Sequence, residues 1–296
     1  LILGLCALAG MAQETRATIS GTVTDSSGAV AVGVGIKLTN TDTGASFTAE
    51  TNAAGQYRFL FLNPGPYKLS ASITGFKSFE RDNIVLHVSQ AAGIDITLQV
   101  GAMSESVTVS SEAPLLEGEK VDRGVVIEQA RIVDLPLSMR NPIMLSNLSA
   151  GIINSSDPNH INPFSNSSIS SWSVNGGQVN NVEFLMDGAP NNAYSGATNR
   201  IAYVPPSDAV QEFKVVTGVY DAQYGRTGGG VINVSVKSGT NSVHGSVYEY
   251  AQRSVLNANT FTNNAKSLPR EGNGLNQYGF TVGGPLSVPK LYNGKD

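Results

Sequence analysis

From Thr18 to Val100 apolar and polar residues alternate with period two. A turn signal interrupts the alternation roughly every ten residues, the spacing of an all-β sandwich. Ile19, Gly21 and Val23 share one face of the first run, and Thr18, Ser20, Thr22 and Thr24 the other. Val34, Ile36 and Leu38 repeat the pattern, and Tyr57, Phe59 and Phe61 predict an aromatic face. Further runs carry Tyr67, Leu69, Ala71 and Ile73, then Ile84, Leu86 and Val88, then Ile94, Ile96, Leu98 and Val100. Asp25-Ser26-Ser27-Gly28, Asn52-Ala53-Ala54-Gly55 and Asn63-Pro64-Gly65-Pro66 supply turns. About seven short strands are therefore expected over 15–100.

After a linker over 101–122 the pattern changes. Val125 to Leu135 predicts a short helix or a strand–helix unit stopped by Pro136. Trp172 to Gly177 and Val182 to Pro190 each read as a strand running into a turn. Asp187 is expected to cap its own turn through an Asx hydrogen bond, with Gly188 left-handed. Val204 to Gly218 predicts a proline corner, a helical turn and a strand. The triple glycine Gly228-Gly229-Gly230 then lets backbone approach backbone before Val231, Ile232 and Val234 rebuild a strand. An α+β domain over 123–241 follows from this mixture.

Beyond it, Val243 to Arg253 and Asn276 to Gly283 are strands. Tyr278, Phe280 and Val282 alternate with Gln277, Gly279 and Thr281, the apolar-out, polar-in dyad of a transmembrane barrel. The fold class expected is thus mainly β: an N-terminal β-sandwich, an α+β domain, and over 242–296 the first strands of a truncated barrel. Two strands cannot close a barrel, so the sequence is expected to be an N-terminal portion of a longer protein.

Composition supports strands and turns over helices, because charged residues make up only 14% of the chain. The net charge of −4, with no basic stripe, excludes a nucleic-acid-binding reading. Cys6 is the one cysteine, which rules out a disulfide framework or a multi-cysteine metal site within the chain. It lies in the apolar stretch 1–12, which reads as the remnant of a signal peptide. Leu5 is bulky where lipidation at Cys6 would want a small residue. His87, His160 and His244 are far apart, and none begins a His-x-x-Glu or His-Glu-x-x-His run. Neither a Gly-x-Ser-x-Gly elbow nor a phosphate-binding Gly-x-x-x-x-Gly-Lys loop is present. No enzyme activity, cofactor or metal is expected.

Two groups of motifs resemble known families. Ile19 to Asp25, Gly55 to Phe59 and Pro64 to Leu69, in that order, are similar to the carboxypeptidase-regulatory-like, transthyretin-type module. That likeness implies a carbohydrate-binding-like fold, serving as a spacer or as a ligand-binding module. Tyr224 to Asn241, read with Asp187-Gly188-Ala189-Pro190 and Val243-His244-Gly245-Ser246, resembles the end of a plug domain entering the barrel of a TonB-dependent outer-membrane receptor of the Oar-like branch.

The resemblance implies an outer-membrane location with a periplasmic N-terminal domain. It also implies a TonB-type energy-coupling partner, and an external ligand of glycan, peptide or siderophore type. The plug motif would comprise Asp187, Gly188, Tyr224, Gly225, Arg226, Gly228, Gly229 and Gly230, with Arg226 meeting acidic groups of the barrel lumen. Glu105, Ser106, Val107, Thr108, Val109 and Ser110 look like a TonB box, an extended segment able to add to a partner's sheet edge. The same six residues also read as a last sandwich strand or plain linker. Loop residues 157–171 would help form the external binding site or simply connect strands. The competing overall reading is a secreted or cell-surface β-sandwich adhesion or carbohydrate-binding protein.

Overall fold

The structure, a computed structural model, describes residues 16–102, 106–109, 124–135, 137, 140–154, 171–195, 198–218, 224–225, 227–270, 272, 274–288 and 290–294. It divides into two compact units, one reaching Ser238 and one starting at Gly239. Residues 1–15, Arg226 and most of the loop 157–171 lie outside the described residues.

The first unit opens with a β-sandwich. Its strands are β1 (Ala17–Asp25), β2 (Gly35–Asn40), β3 (Ser46–Glu50), β4 (Gln56–Leu62), β5 (Gly65–Ser72), β6 (Ser78–Leu86), β7 (Ala91–Gly93) and β8 (Ile96–Leu98). A ninth strand, β9 (Ser106–Val109), follows the linker's start. One sheet runs β3-β2-β5-β6-β9. In the other, β1 pairs antiparallel with β4 and parallel with β7 and then β8. Period-two burial puts Ile19, Val23, Ile36, Leu38, Tyr57, Leu69, Ile84 and Ile96 in a single core.

The expected aromatic face stops at Phe59. Between Ala17↔Leu62 and Ile19↔Phe59 the register shifts, so β4 carries one extra residue. Phe61 takes a positive φ of 62° and turns outward, half exposed, while Leu62 takes the core position. The Arg16 guanidinium lies 4.8 Å from the centroid of the outward Phe61 ring.

The rest of the first unit is built on a second sheet. Val125 to Leu135 resolves into strand β10 (Gly124–Glu128) and helix α1 (Gln129–Asp134). Leu135 is extended, as the residue before a proline prefers. A 3₁₀ segment, Pro142–Leu148, follows, capped by Asn141, whose Oδ1 accepts the Ile143 N–H at 3.0 Å. Then come β11 (Ile152–Asn154), β12 (Trp172–Val174), β13 (Val182–Met186), β14 (Ala189–Pro190), β15 (Asn192–Ser195), β16 (Thr198–Ile201), β17 (Val210–Val216) and β18 (Gly230–Val236). The proline corner and helical turn before β17 appear as a 3₁₀ turn, Ser207–Ala209.

The main sheet runs β10-β17-β18-β13-β14, with β17 antiparallel to β18 and β13 parallel to it. Its two faces differ in kind. Ile127, Phe213, Val215, Ile232, Val234, Val182 and Phe184 pack on one side around Trp172, whose ring lies 5.9 Å from that of Phe184. The opposite side carries Glu212, Lys214, Asn233, Ser235 and Glu183, all buried, beside a small apolar cluster of Leu185, Val216, Val231 and Tyr224.

The second unit is a hairpin of two ten-residue strands, β19 (His244–Arg253) and β20 (Gly274–Gly283), paired in register from His244↔Gly283 to Arg253↔Gly274. The connection between them holds a short helix, α2 (Phe261–Ala265), with Thr260 as its N-cap. Val247, Tyr278, Phe280 and Val282 share one face and are each more than three-quarters exposed. The other face carries Ser246, Tyr248, Tyr250, Gln252, Gln277 and Thr281, with Leu275 among them. There Ser246 and Thr281 hydroxyls meet at 2.7 Å, and Tyr248 crosses over Gly279. Among the described residues no helix is long and apolar enough to cross a membrane, a statement that does not bear on strands.

Candidate functional site

Of the candidate coupling segment, Ser106–Val109 is described, while Glu105 and Ser110 lie outside the described residues. The four residues form β9 and pair in parallel with β6, from Ser78↔Ser106 to Arg81↔Val109. β9 is the terminal strand of its sheet, and Val107 is partly buried. Four residues of parallel pairing make a small ladder. The segment is therefore held in the extended form, at a sheet edge, by few hydrogen bonds.

The glycine-rich element separates into positions that need glycine and one that does not. A Cβ on Gly229 would stand 2.6 Å from the Asn181 carbonyl oxygen, and one on Gly230 would stand 2.7 Å from that of Val216. Neither backbone atom can move aside cheaply. A Cβ on Gly228 would meet only the Asn181 side chain, at 2.8 Å. Gly225 has open space around it and no positive φ. Tyr224 is buried in the apolar cluster with Leu185, Val216 and Val231.

Thr227, which composition alone does not single out, is the hub of this turn. Its hydroxyl donates to the Asn181 carbonyl at 2.7 Å and accepts the Gly229 and Gly230 N–H groups at 3.1 and 3.2 Å. Three successive small residues thus wrap one hydroxyl and lead the chain into β18.

Asp187 and Gly188 make the two-residue turn between β13 and β14, with φ of 46° and 82°. Positive φ at both positions is the type I′ hairpin, the form that Asp-Gly favours. The Asx bond expected within this turn is replaced by one that reaches across the sheet. Asp187 Oδ1 accepts the Val236 N–H at 2.9 Å, and the Asp187 N–H donates to the Val234 carbonyl at 2.9 Å. The left-handed backbone swings the carboxylate toward β18, away from its own turn.

Two polar anchors escaped the sequence reading. Arg140 Nη2 donates to Ser207 Oγ at 2.7 Å and to Asp208 Oδ2 at 3.1 Å, with both charged side chains largely buried. This ties the chain just before the 3₁₀ segment Pro142–Leu148 to the turn before β17. Glu212 is the other. Its carboxylate accepts the Val88 main-chain N–H and lies 2.8 Å from His87 Nδ1, both from the turn after β6. The only sequence signal for Glu212 is an acid inside a strand otherwise rich in valine.

On the sandwich, an open groove of about 610 Å³ is lined by Gly21, Glu50, Gln56, Arg58, Asp95 and the Tyr57 ring, among others. Asp95 accepts the Thr22 N–H at 2.8 Å, and the Tyr57 hydroxyl donates to the Ile94 carbonyl at 2.7 Å. Burial holds the Tyr57 phenol well above its ordinary range, and the nearby Asp95 charge adds to the effect. Among the described residues no group of three or more His, Cys, Asp or Glu is placed to hold a metal ion.

Comparison with known proteins gives three successive family matches. Residues 18–99 match the carboxypeptidase regulatory-like domain, 140–231 the TonB-dependent receptor plug domain, and 235–296 an outer membrane beta barrel domain. A curated relative, the TonB-dependent transporter Oar of Myxococcus xanthus, is 28% identical over 302 residues, covering 96% of this chain and 26% of that protein. The chain thus spans about a quarter of the length of that relative. Among solved structures, the siderophore receptor PirA of Acinetobacter baumannii is 23% identical, with 55% of this chain and 22% of that chain covered at a TM-score of 0.37. The ferric enterobactin receptor PfeA of Pseudomonas aeruginosa is 20% identical, with 56% and 22% covered at a TM-score of 0.38.

Proposed function

We propose that this chain, whose regulatory-like, plug and barrel segments match those family models in order, is the entry module of a gated outer-membrane transporter of the TonB-dependent receptor type. Residues 15–100 are its periplasmic sandwich, 101–122 the linker, 123–241 the plug and 242–296 the start of the barrel. The observation that carries this reading is the succession of a glycine-locked plug sheet and a hairpin of two ten-residue strands that exposes Val247, Tyr278, Phe280 and Val282 on one face. The work done is binding and gating, with no bond made or broken. The ligand class stays with the external loops of the whole protein.

Energy coupling enters through the segment Glu105–Ser110. An extended peptide at a sheet edge presents its backbone to a partner strand. Because β6 holds Ser106–Val109 in the same way, the TonB-type partner takes the segment by exchanging one strand neighbour for another. Sequence need be specified only loosely for such pairing, as the Val/Thr alternation suggests. Asp187, Gly188, Thr227, Gly229 and Gly230 shape the plug, and Arg226 supplies a charge to the barrel wall.

The test uses the full-length gene product. It should appear in the outer-membrane fraction and migrate heat-modifiably, as closed barrels do. Retention on an immobilised TonB-type periplasmic domain should be lost in Val107→Pro, which removes a strand N–H, with fractionation unchanged. Unaltered retention would end the coupling assignment. A product found only in aqueous extracts would end the receptor reading.

A further inference from the structure

The turn His87–Gln90 joins the sandwich to the plug sheet through hydrogen bonds made by His87, Val88 and Ser89, and the Val88 side chain is buried there as well. Glu212 stands at its centre, on the buried polar side of β17, with its side chain only 6% exposed. One carboxylate oxygen accepts the Val88 N–H, and the other faces His87 Nδ1 at 2.8 Å. Next along the turn, Ser89 is fully buried with a left-handed φ of 55°. Its hydroxyl accepts from Asn233 Nδ2 at 3.4 Å and lies 3.4 Å from the Tyr224 hydroxyl.

The sandwich prepares this turn in advance. Gln90 Oε1 accepts the His87 N–H at 2.9 Å, the Gln90 N–H donates to the His87 carbonyl at 3.1 Å, and the Gln90 carbonyl accepts the Thr18 N–H at 2.8 Å. A left-handed serine is a sparsely populated state that persists only where its surroundings hold it. Here those surroundings come from both domains.

We propose that the turn His87–Gln90 is a releasable strap by which the sandwich closes over the polar face of the plug sheet, with Glu212 as the group that fastens it. The chemistry makes the strap strong when shut and tolerable when open. A buried carboxylate is stable only while its oxygens accept hydrogen bonds. Once parted, Glu212, His87 and the Val88 N–H all find water. Polar joints between domains are the ones that move. The apolar side of the same sheet, around Trp172 and Phe184, plays no part in the opening. The proposal stands on this geometry and is independent of which ligand is carried.

The strap is tested in the full-length protein by thiol accessibility. Asn233→Cys is placed in a background with Cys6 and any cysteine elsewhere in the full-length protein replaced by serine, so that the one thiol lies beneath Ser89. Its reaction with a maleimide should be slow, and Glu212→Ala should speed it about tenfold by raising the open population. His87→Ala, which removes one contact at a partly exposed side chain, should give a smaller increase in the same direction. Emission from Trp172, this chain's single tryptophan, read with any tryptophan elsewhere in the full-length protein replaced by phenylalanine, should stay unshifted in each variant. Unchanged labelling in both variants would overturn the proposal. So would faster labelling accompanied by a red shift of Trp172, because the whole sheet would then have loosened.

Discussion

The Asp187 carboxylate reaches across the sheet to accept the Val236 N–H at 2.9 Å, so the turn closing one strand also fastens the end of another. Both jobs depend on the same φ of 46° at Asp187. Asp187→Ala loses the acceptor and places an alanine in the left-handed region, a combined cost of about 2 kcal/mol. Asp187→Asn keeps an acceptor oxygen and tolerates the backbone, so it should stay within about 0.5 kcal/mol of the parent. Denaturant unfolding of the intact protein in detergent, followed by Trp172 emission with any other tryptophan replaced by phenylalanine, reads the difference.

The glycine-rich element gives a sharper contrast. A methyl group on Gly230 would stand 2.7 Å from the Val216 carbonyl oxygen and 3.1 Å from Val174 Cγ1. Gly230→Ala must therefore push β17 from β18, costing about 2 kcal/mol or more. Gly225, in the same run, has nothing within 4 Å of such a methyl group. Gly225→Ala should be silent within about 0.5 kcal/mol. Equal losses in the two variants would mean that the run acts through flexibility and not through close approach.

These cases show what kind of information the chain carries openly. Period-two burial, the Asp-Gly turn, the pre-proline stop at Leu135 and the apolar face of β20 all arise from neighbours in sequence. Each was legible because its cause is local. The outward turn of Phe61 was not, because the extra residue in β4 appears only when that strand is set against β1. The reach of Asp187 to Val236 spans 49 residues, and that of Glu212 to Val88 spans 124. No spacing rule links such pairs. Thr227 was passed over because its neighbours drew attention to glycine, although the hydroxyl is what the glycines wrap.

The sandwich core should respond to alkaline pH through Tyr57. Its folded-state pKa is raised, chiefly by burial and secondarily by Asp95. The unfolded chain therefore loses its phenolic proton first, near pH 10, while the folded one keeps it. Native Tyr57 binds more protons than the unfolded form, so stability is full below pH 10 and declines above it. Tyr67 is raised by burial too and contributes in the same direction. Tyr57→Phe should lose about 1 kcal/mol at neutral pH with its bond to the Ile94 carbonyl. It should also flatten the alkaline decline without abolishing it. A decline as steep as in the parent would mean that other groups set it.

Phe280 stands opposite Val247, is 76% exposed, and is flanked on its own face by Tyr278 and Val282. In water this row would be a liability, since exposed apolar strands invite edge pairing. Against lipid it is the surface a barrel requires. Phe280→Arg should then cost about 2–4 kcal/mol if that position lies near the bilayer midplane, and lower the yield of heat-modifiable protein in the outer membrane. Thr281→Arg tests the opposite face, where the Thr281 hydroxyl meets Ser246 at 2.7 Å among polar groups. A charge there faces water, so assembly should proceed at close to the parent yield. Reversal of the two outcomes would place Phe280 toward the interior and turn the hairpin inside out.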